Sequence, residues 1–157
     1  MATAHLIHGY LGAGKTTFAR RLEQELPAIR FSHDEWMTSL YGDDPPVDQF
    51  AEFHRRVSKL LDAQWTRCVE LGVDVVLDCG FWTRRERDET RATAAASGAA
   101  VRLYRLACPD DEAWRRIDKR NTHLDGSSLI VRHTFETLKS RFEPLQNDED
   151  RIEVRQC

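Results

Sequence analysis

Gly9-Tyr10-Leu11-Gly12-Ala13-Gly14-Lys15-Thr16 is an unbroken G-x-x-x-x-G-K-T, and its reading decides the fold. A short apolar run, Ala4 to His8, leads into it, and Thr17-Phe18-Ala19-Arg20-Arg21-Leu22 follows. Strand, glycine loop, helix is the setting that separates a phosphate-cradling loop from a chance match. Glycines 9, 12 and 14 let the backbone turn tightly, so that its N–H groups converge on one anion. The helix behind adds the positive end of its dipole. Gly9, Gly12, Ala13, Gly14, Lys15, Thr16 and Thr17 are therefore expected to hold a nucleoside triphosphate. Lys15 would reach the β- and γ-phosphates, and the Thr16 hydroxyl would ligate Mg²⁺.

The rest of the chain bounds what that loop can serve. At 157 residues, 41% of them hydrophobic and 31% charged, it suits a single domain spanning 1–157 with one sizeable core. Net charge is −3, from 23 basic and 26 acidic residues. That balance counts against a protein that coats nucleic acid, which shows a basic surplus. Cys68, Cys79, Cys108 and Cys157 are scattered, without a C-x-x-C pair or zinc spacing, so reduced structural thiols are expected. No signal-peptide pattern and no apolar run of membrane-spanning length is read, and the expected address is the cytoplasm.

Alternation of strand and helix patterns continues to the end. A helix after the loop stops near Leu26-Pro27, a strand over 28–32 delivers Ser32-His33-Asp34-Glu35, and a short helix follows, capped by Ser32 or Asp34. Val47 to Leu71 has helical spacing and ends at Gly72. Val73 to Cys79 is nearly all apolar, as a strand buried on both faces should be. Thr83 with Glu86 predicts a capping box for the next helix. A strand over 100–107 and a helix started by Pro109 come next. A polar loop, a last helix striped by Val131, Phe135, Leu138, Phe142 and Leu145, and an edge strand over 151–155 complete the pattern. The class is α/β: a three-layer parallel sheet of five strands, helices on both faces, with ligands at the carboxyl ends of the strands.

That rim gathers the candidate chemistry. Asp34 is the candidate base for an acceptor hydroxyl, or a helix cap. Asp78 ends an apolar strand, as a residue that helps hold Mg²⁺ would, or simply as a capped strand end. Arg116 and Arg120 share a helix face just before a polar stretch, about 121–130, that suits a lid; otherwise they are surface charges. Arg84, Arg85 and Arg87 open a helix where the dipole disfavours cations, which points to an anionic or hydroxylated substrate near Arg84 and Arg87, or to solvated charge. Trp36, Tyr41 and Trp82 are candidate walls of an acceptor pocket, with core packing the alternative. His5 and His8 read as structural.

With GYLGAGKT and TFARRL, FSHDEW, VVLDCGFWTRRERD and AWRRIDKRN in hand, the chain resembles the small P-loop kinases of the zeta-toxin, chloramphenicol phosphotransferase and polynucleotide kinase-like set, which includes AAA-type ATP-binding proteins. These stretches cover most of the chain. The resemblance implies strand order 2-3-1-4-5, ATP with Mg²⁺, Asp34 as acceptor-orienting base and Arg120 as a lid cation. It leaves the acceptor open among antibiotics, sugars, nucleotide sugars and nucleic acid ends. The loop also looks like that of CobW-type GTPases, but no guanine-reading N-K-x-D is present, Asn121-Thr122-His123-Leu124-Asp125 lacking the lysine. The expectation is a kinase acting on a hydroxyl of a small molecule. The alternatives are a 5′-hydroxyl polynucleotide kinase and a nucleotide-dependent switch.

Overall fold

The computed structural model describes residues 1–122 and 130–155. Its strands are β1 (Thr3–His8), β2 (Ile29–Ser32), β3 (Val75–Gly80), β4 (Ala100–Ala107) and β5 (Ile152–Arg155). They form one sheet in the order β2-β3-β1-β4-β5. Each neighbouring pair is parallel. The expected order and class both hold. From β1 the chain goes out to β2 on one flank and returns later to β4 on the other, so a crevice opens above the carboxyl end of β1.

Burial on both faces explains why the central strands are apolar throughout. Ile7, Val76, Tyr104 and Leu106 pack against Phe18, Ala19 and Leu22 of α1 (Lys15–Glu25). Leu6, Val75, Leu77 and Leu103 pack on the opposite face, against α3 (Val47–Glu70) and α4 (Arg84–Ala96). In α3 the buried residues are Val57, Leu61, Trp65 and Val69, a stripe at four-residue spacing. Leu60 and Phe50, apolar residues of the same helix outside that stripe, are about half exposed. Gly72, at φ 83°, follows the helix in the left-handed conformation a terminating glycine adopts.

Two expectations are corrected. The last helix is shorter than its stripe: α6 covers Arg132–Leu138, a 3₁₀ turn covers Lys139–Arg141, and Phe142 is extended. Glu143 precedes Pro144, which disfavours helix, and its N–H donates instead to Trp82 O at 2.7 Å. Phe142 stacks on His8, ring centroids 4.8 Å apart. The second correction concerns thiols. Cys68 and Cys79 are free, but Cys108, at the end of β4, is disulfide-bonded. Cys157 and most of the expected lid lie outside the described residues. At the stretch's two ends, the Asn121 side chain donates to Ile130 O at 2.7 Å and accepts from Ile130 N at 3.2 Å. Among the described residues no helix is long and apolar enough to cross a membrane.

Candidate active site

Gly12 and Gly14 carry φ of 75° and 87°, so the loop's turns need the left-handed region that only glycine enters without strain. Space is the second reason for glycine. A Cβ at Gly12 would lie 2.5 Å from Ala113 O, where the loop meets α5 (Asp110–Asn121). Lys15 Nζ donates to Tyr10 O at 2.9 Å, folded onto its own loop. Thr16 Oγ1 donates to Asp78 Oδ2 at 3.0 Å, joining the first turn of α1 to β3.

Charges converge around this pair. Burial holds the Lys15 ammonium below its ordinary pKa, while Asp78 and Asp34 pull it back up and Arg120 adds to the lowering. Burial pushes the Asp78 carboxyl up, against the lowering influence of Lys15, the Thr16 hydroxyl and Arg30. Lys15, Asp34, Asp78 and Arg120 thus share one electrostatic neighbourhood on the rim.

Asp34 stands in the first turn of α2 (His33–Tyr41), and Ser32, not Asp34, caps that helix. Ser32 Oγ accepts from Glu35 N at 3.3 Å. The Asp34 side chain is exposed and makes no hydrogen bond or ion pair among the described residues. Arg120 lies in the last turn of α5, and its buried Nε has no hydrogen-bond partner among the described residues. Arg116, one turn earlier, lies 3.9 Å from Glu112 Oε1.

These features fit a bound triphosphate with Mg²⁺. The loop is a cradle that side chains would fill, and a buried guanidinium N–H lacks an acceptor. Among the described residues no group of three or more His, Cys, Asp or Glu forms a metal cage. Mg²⁺ at a phosphate site is held by one or two protein oxygens plus phosphate and water, and Thr16 and Asp78 suit that.

The arginines and aromatics beside β3 are engaged within the fold. Arg87, expected at the substrate, is fully buried: its Nε and Nη2 donate to Glu149 at 2.8 and 3.0 Å, and its Nη1 to Phe81 O at 2.9 Å. Arg84 pairs with Asp88 and, at 2.8 Å, with Asp148. Carboxylates from the segment before β5 thus neutralise cations that look unpaired in the local sequence. Trp82 Nε1 donates to Gly9 O at 3.2 Å, and its ring lies 5.2 Å from that of Tyr10, so it props the loop. Trp36 packs half-buried on the core, and Tyr41 stacks on Phe53 at 3.8 Å.

Sequence reasoning passed over Arg30. Its side chain, 12% exposed, lies 3.4 Å from Glu23, 2.9 Å from Glu35 and 3.9 Å from Asp78 Oδ2. A charge inside a four-residue strand, on the same side as Ser32, was the available signal. His5 and His8 are buried as expected. His8 Nδ1 donates to Phe81 O at 2.9 Å, and burial holds its imidazole down at about 4.

A family model described as an AAA domain matches residues 5–145. No curated protein matches the chain. Among solved structures, a candidate kinase from Chloroflexus aurantiacus has a TM-score of 0.77 at 16% identity, over 98% of this chain and 88% of that one. A chain of the Pnkp1/Rnl/Hen1 RNA repair complex gives 0.72 at 19% identity, over 89% of this chain and 43% of that one. A gluconokinase from Sinorhizobium meliloti gives 0.67 at 14% identity, over 98% and 82%. At these identities the likeness establishes a shared fold and nothing finer.

Proposed function

The chain belongs to the AAA-domain family, and on that premise we propose that it is an ATP-dependent kinase acting on a hydroxyl of a small molecule in the cytoplasm. One observation carries the reading: a carboxylate, Asp34, stands unpaired on the rim within the electrostatic reach of Lys15. A helix cap would have spent that carboxylate on the backbone, and Ser32 makes this unnecessary.

In this reading the loop backbone and Lys15 hold the β- and γ-phosphates of ATP. Mg²⁺, held through Thr16 and Asp78, supplies charge neutralisation on the phosphate oxygens. The acceptor oxygen bonds to the γ-phosphorus as the bond to the β,γ-bridging oxygen breaks, and the hydroxyl proton passes to Asp34. Arg120, with Arg116 behind it, offsets the charge on the departing phosphate oxygens. Because positioning and charge account for most of such catalysis, a rim of fixed groups around an open crevice suffices.

The fold likeness to a chain of an RNA repair complex favours a second reading, transfer to a nucleic acid 5′-hydroxyl. Against it, the arginines that open α4, Arg84, Arg85 and Arg87, are all paired with carboxylates. An acceptor screen with γ-labelled ATP over aminoglycosides, nucleosides, sugars and oligonucleotides decides. Label on one small-molecule class is the expected result. Label on oligonucleotides alone supports the second reading, and slow hydrolysis with no acceptor-dependent turnover makes the protein a switch.

A further inference from the structure

The turn between β3 and α4 is braced far more heavily than a connection requires. Phe81, at φ 51°, is the non-glycine residue with a left-handed backbone among those described. Such a conformation persists where its surroundings over-determine it, and these positions cluster at functional sites. Here the surroundings are explicit. Phe81 O accepts from His8 Nδ1 and Arg87 Nη1, both at 2.9 Å. Trp82 O accepts from Glu143 N at 2.7 Å and from Arg87 Nη1 at 3.2 Å. Glu149 holds Arg87 in turn, so the segment before β5 anchors the whole turn.

What the bracing presents is the indole of Trp82. It lies over Gly80, where a Cβ would come within 3.1 Å of its Nε1. That Nε1 donates to Gly9 O, while Gly9 N donates to Gly80 O at 3.3 Å. Both polar groups of the loop's first glycine are therefore tied to this turn. A phosphate-cradling loop works only while its N–H groups, and not its carbonyls, face the anion. Glycine leaves peptide orientation unusually free, so an external tether on Gly9 O has a purpose.

We infer that Trp82 is a positioning residue of the phosphate loop, its indole N–H fixing the Gly9 peptide, and that Arg87 holds Trp82 in place for that task. The inference rests on the nucleotide-binding reading above. Trp82→Phe keeps an aromatic ring and removes the N–H. Titration with a non-hydrolysable ATP analogue, together with KM for ATP and for the acceptor, tests it. The analogue should bind about five- to tenfold more weakly, the size of one lost hydrogen bond. KM for ATP should rise in step, and KM for the acceptor should stay unchanged. Unchanged analogue binding with a raised acceptor KM would make Trp82 a wall of the acceptor pocket and overturn the inference. Wild-type protein that fails to bind the analogue contradicts the proposed function itself. Should the variant unfold, ¹⁵N-labelled wild type still decides: the Trp82 indole N–H should exchange slowly and shift on adding the analogue but not the acceptor. Rapid exchange, or no shift with the analogue, overturns it.

Discussion

Two clusters of charge, each of cations with carboxylates, are used differently by the fold. In one, Lys15, Asp34, Asp78 and Arg120 share a rim where the Asp34 carboxylate and Arg120 Nε have no hydrogen-bond partner among the described residues. In the other, Arg84, Arg87 and Arg91 meet Asp88, Asp148 and Glu149 in a saturated network. A buried polar group without a partner, as at Arg120 Nε, is costly and persists where something outside the fold makes up the difference. The exposed Asp34 carboxylate is simply left unused by the fold. Saturated charge holds the molecule together; unsaturated charge is left for a ligand.

The contrast is sharpest where each cluster is cut. Arg87→Ala takes the fully buried cation from Glu149, leaving it Arg91 at 2.8 Å, and should cost about 3 kcal/mol of stability, read from urea unfolding. Replacing both partners at once, Arg87→Met with Glu149→Leu, should recover most of that. If the single variant unfolds like wild type, the network is not a brace.

Asp34→Asn should do the reverse. Phosphoryl transfer should fall by about 10²-fold or more, the scale of a positioned base. Stability should change by less than about 1 kcal/mol, since Ser32 supplies the cap. Near-wild-type transfer by the variant would leave Asp34 without a catalytic part.

The brace should also respond to acid. The folded-state pKa of His8 is depressed to about 4 from 6.5, so the unfolded chain binds the proton first as the pH falls. Stability is therefore intact above about 6.5 and lost on the way down to about 4. Between pH 7 and 5 that loss should be about 2 kcal/mol, and His8→Asn should abolish this part of it. Glu149, held down at about 2 against an ordinary 4.5, adds a second loss below about pH 4.5 as its carboxylate is protonated. Equal pH dependence of wild type and His8→Asn would contradict the assignment. The smallest effect belongs to Arg85, exposed and paired with Glu89 on its own helix: Arg85→Ala should leave melting and turnover unchanged. A lowered turnover would place a substrate contact there.

Local chemistry was legible in the sequence. β1 and β4 have the bounds their apolar runs predict, and the Thr83–Glu86 capping box is formed. The glycine loop announces its own geometry, because few other residues can take φ of 75° and 87°. What stayed hidden depends on partners distant in the chain. Arg87 looks like a free cation at a helix start until Glu149, 62 positions later, meets it. That the Trp82 indole N–H donates to Gly9 O, 73 positions earlier, could not be read from its neighbours in the chain. The stripe from Val131 to Leu145 promises a longer helix than Glu143 and Pro144 permit.

The central claim is that the unsaturated rim receives a nucleoside triphosphate through Lys15. Thermal melting with and without Mg-ATP, on wild type and Lys15→Ala, tests it most directly. Wild type should be stabilised by Mg-ATP, and more than by Mg-GTP. Lys15→Ala should fold normally and lose most of that stabilisation, because the cation over the β- and γ-phosphates is gone. Equal stabilisation of both proteins by Mg-ATP would contradict the account.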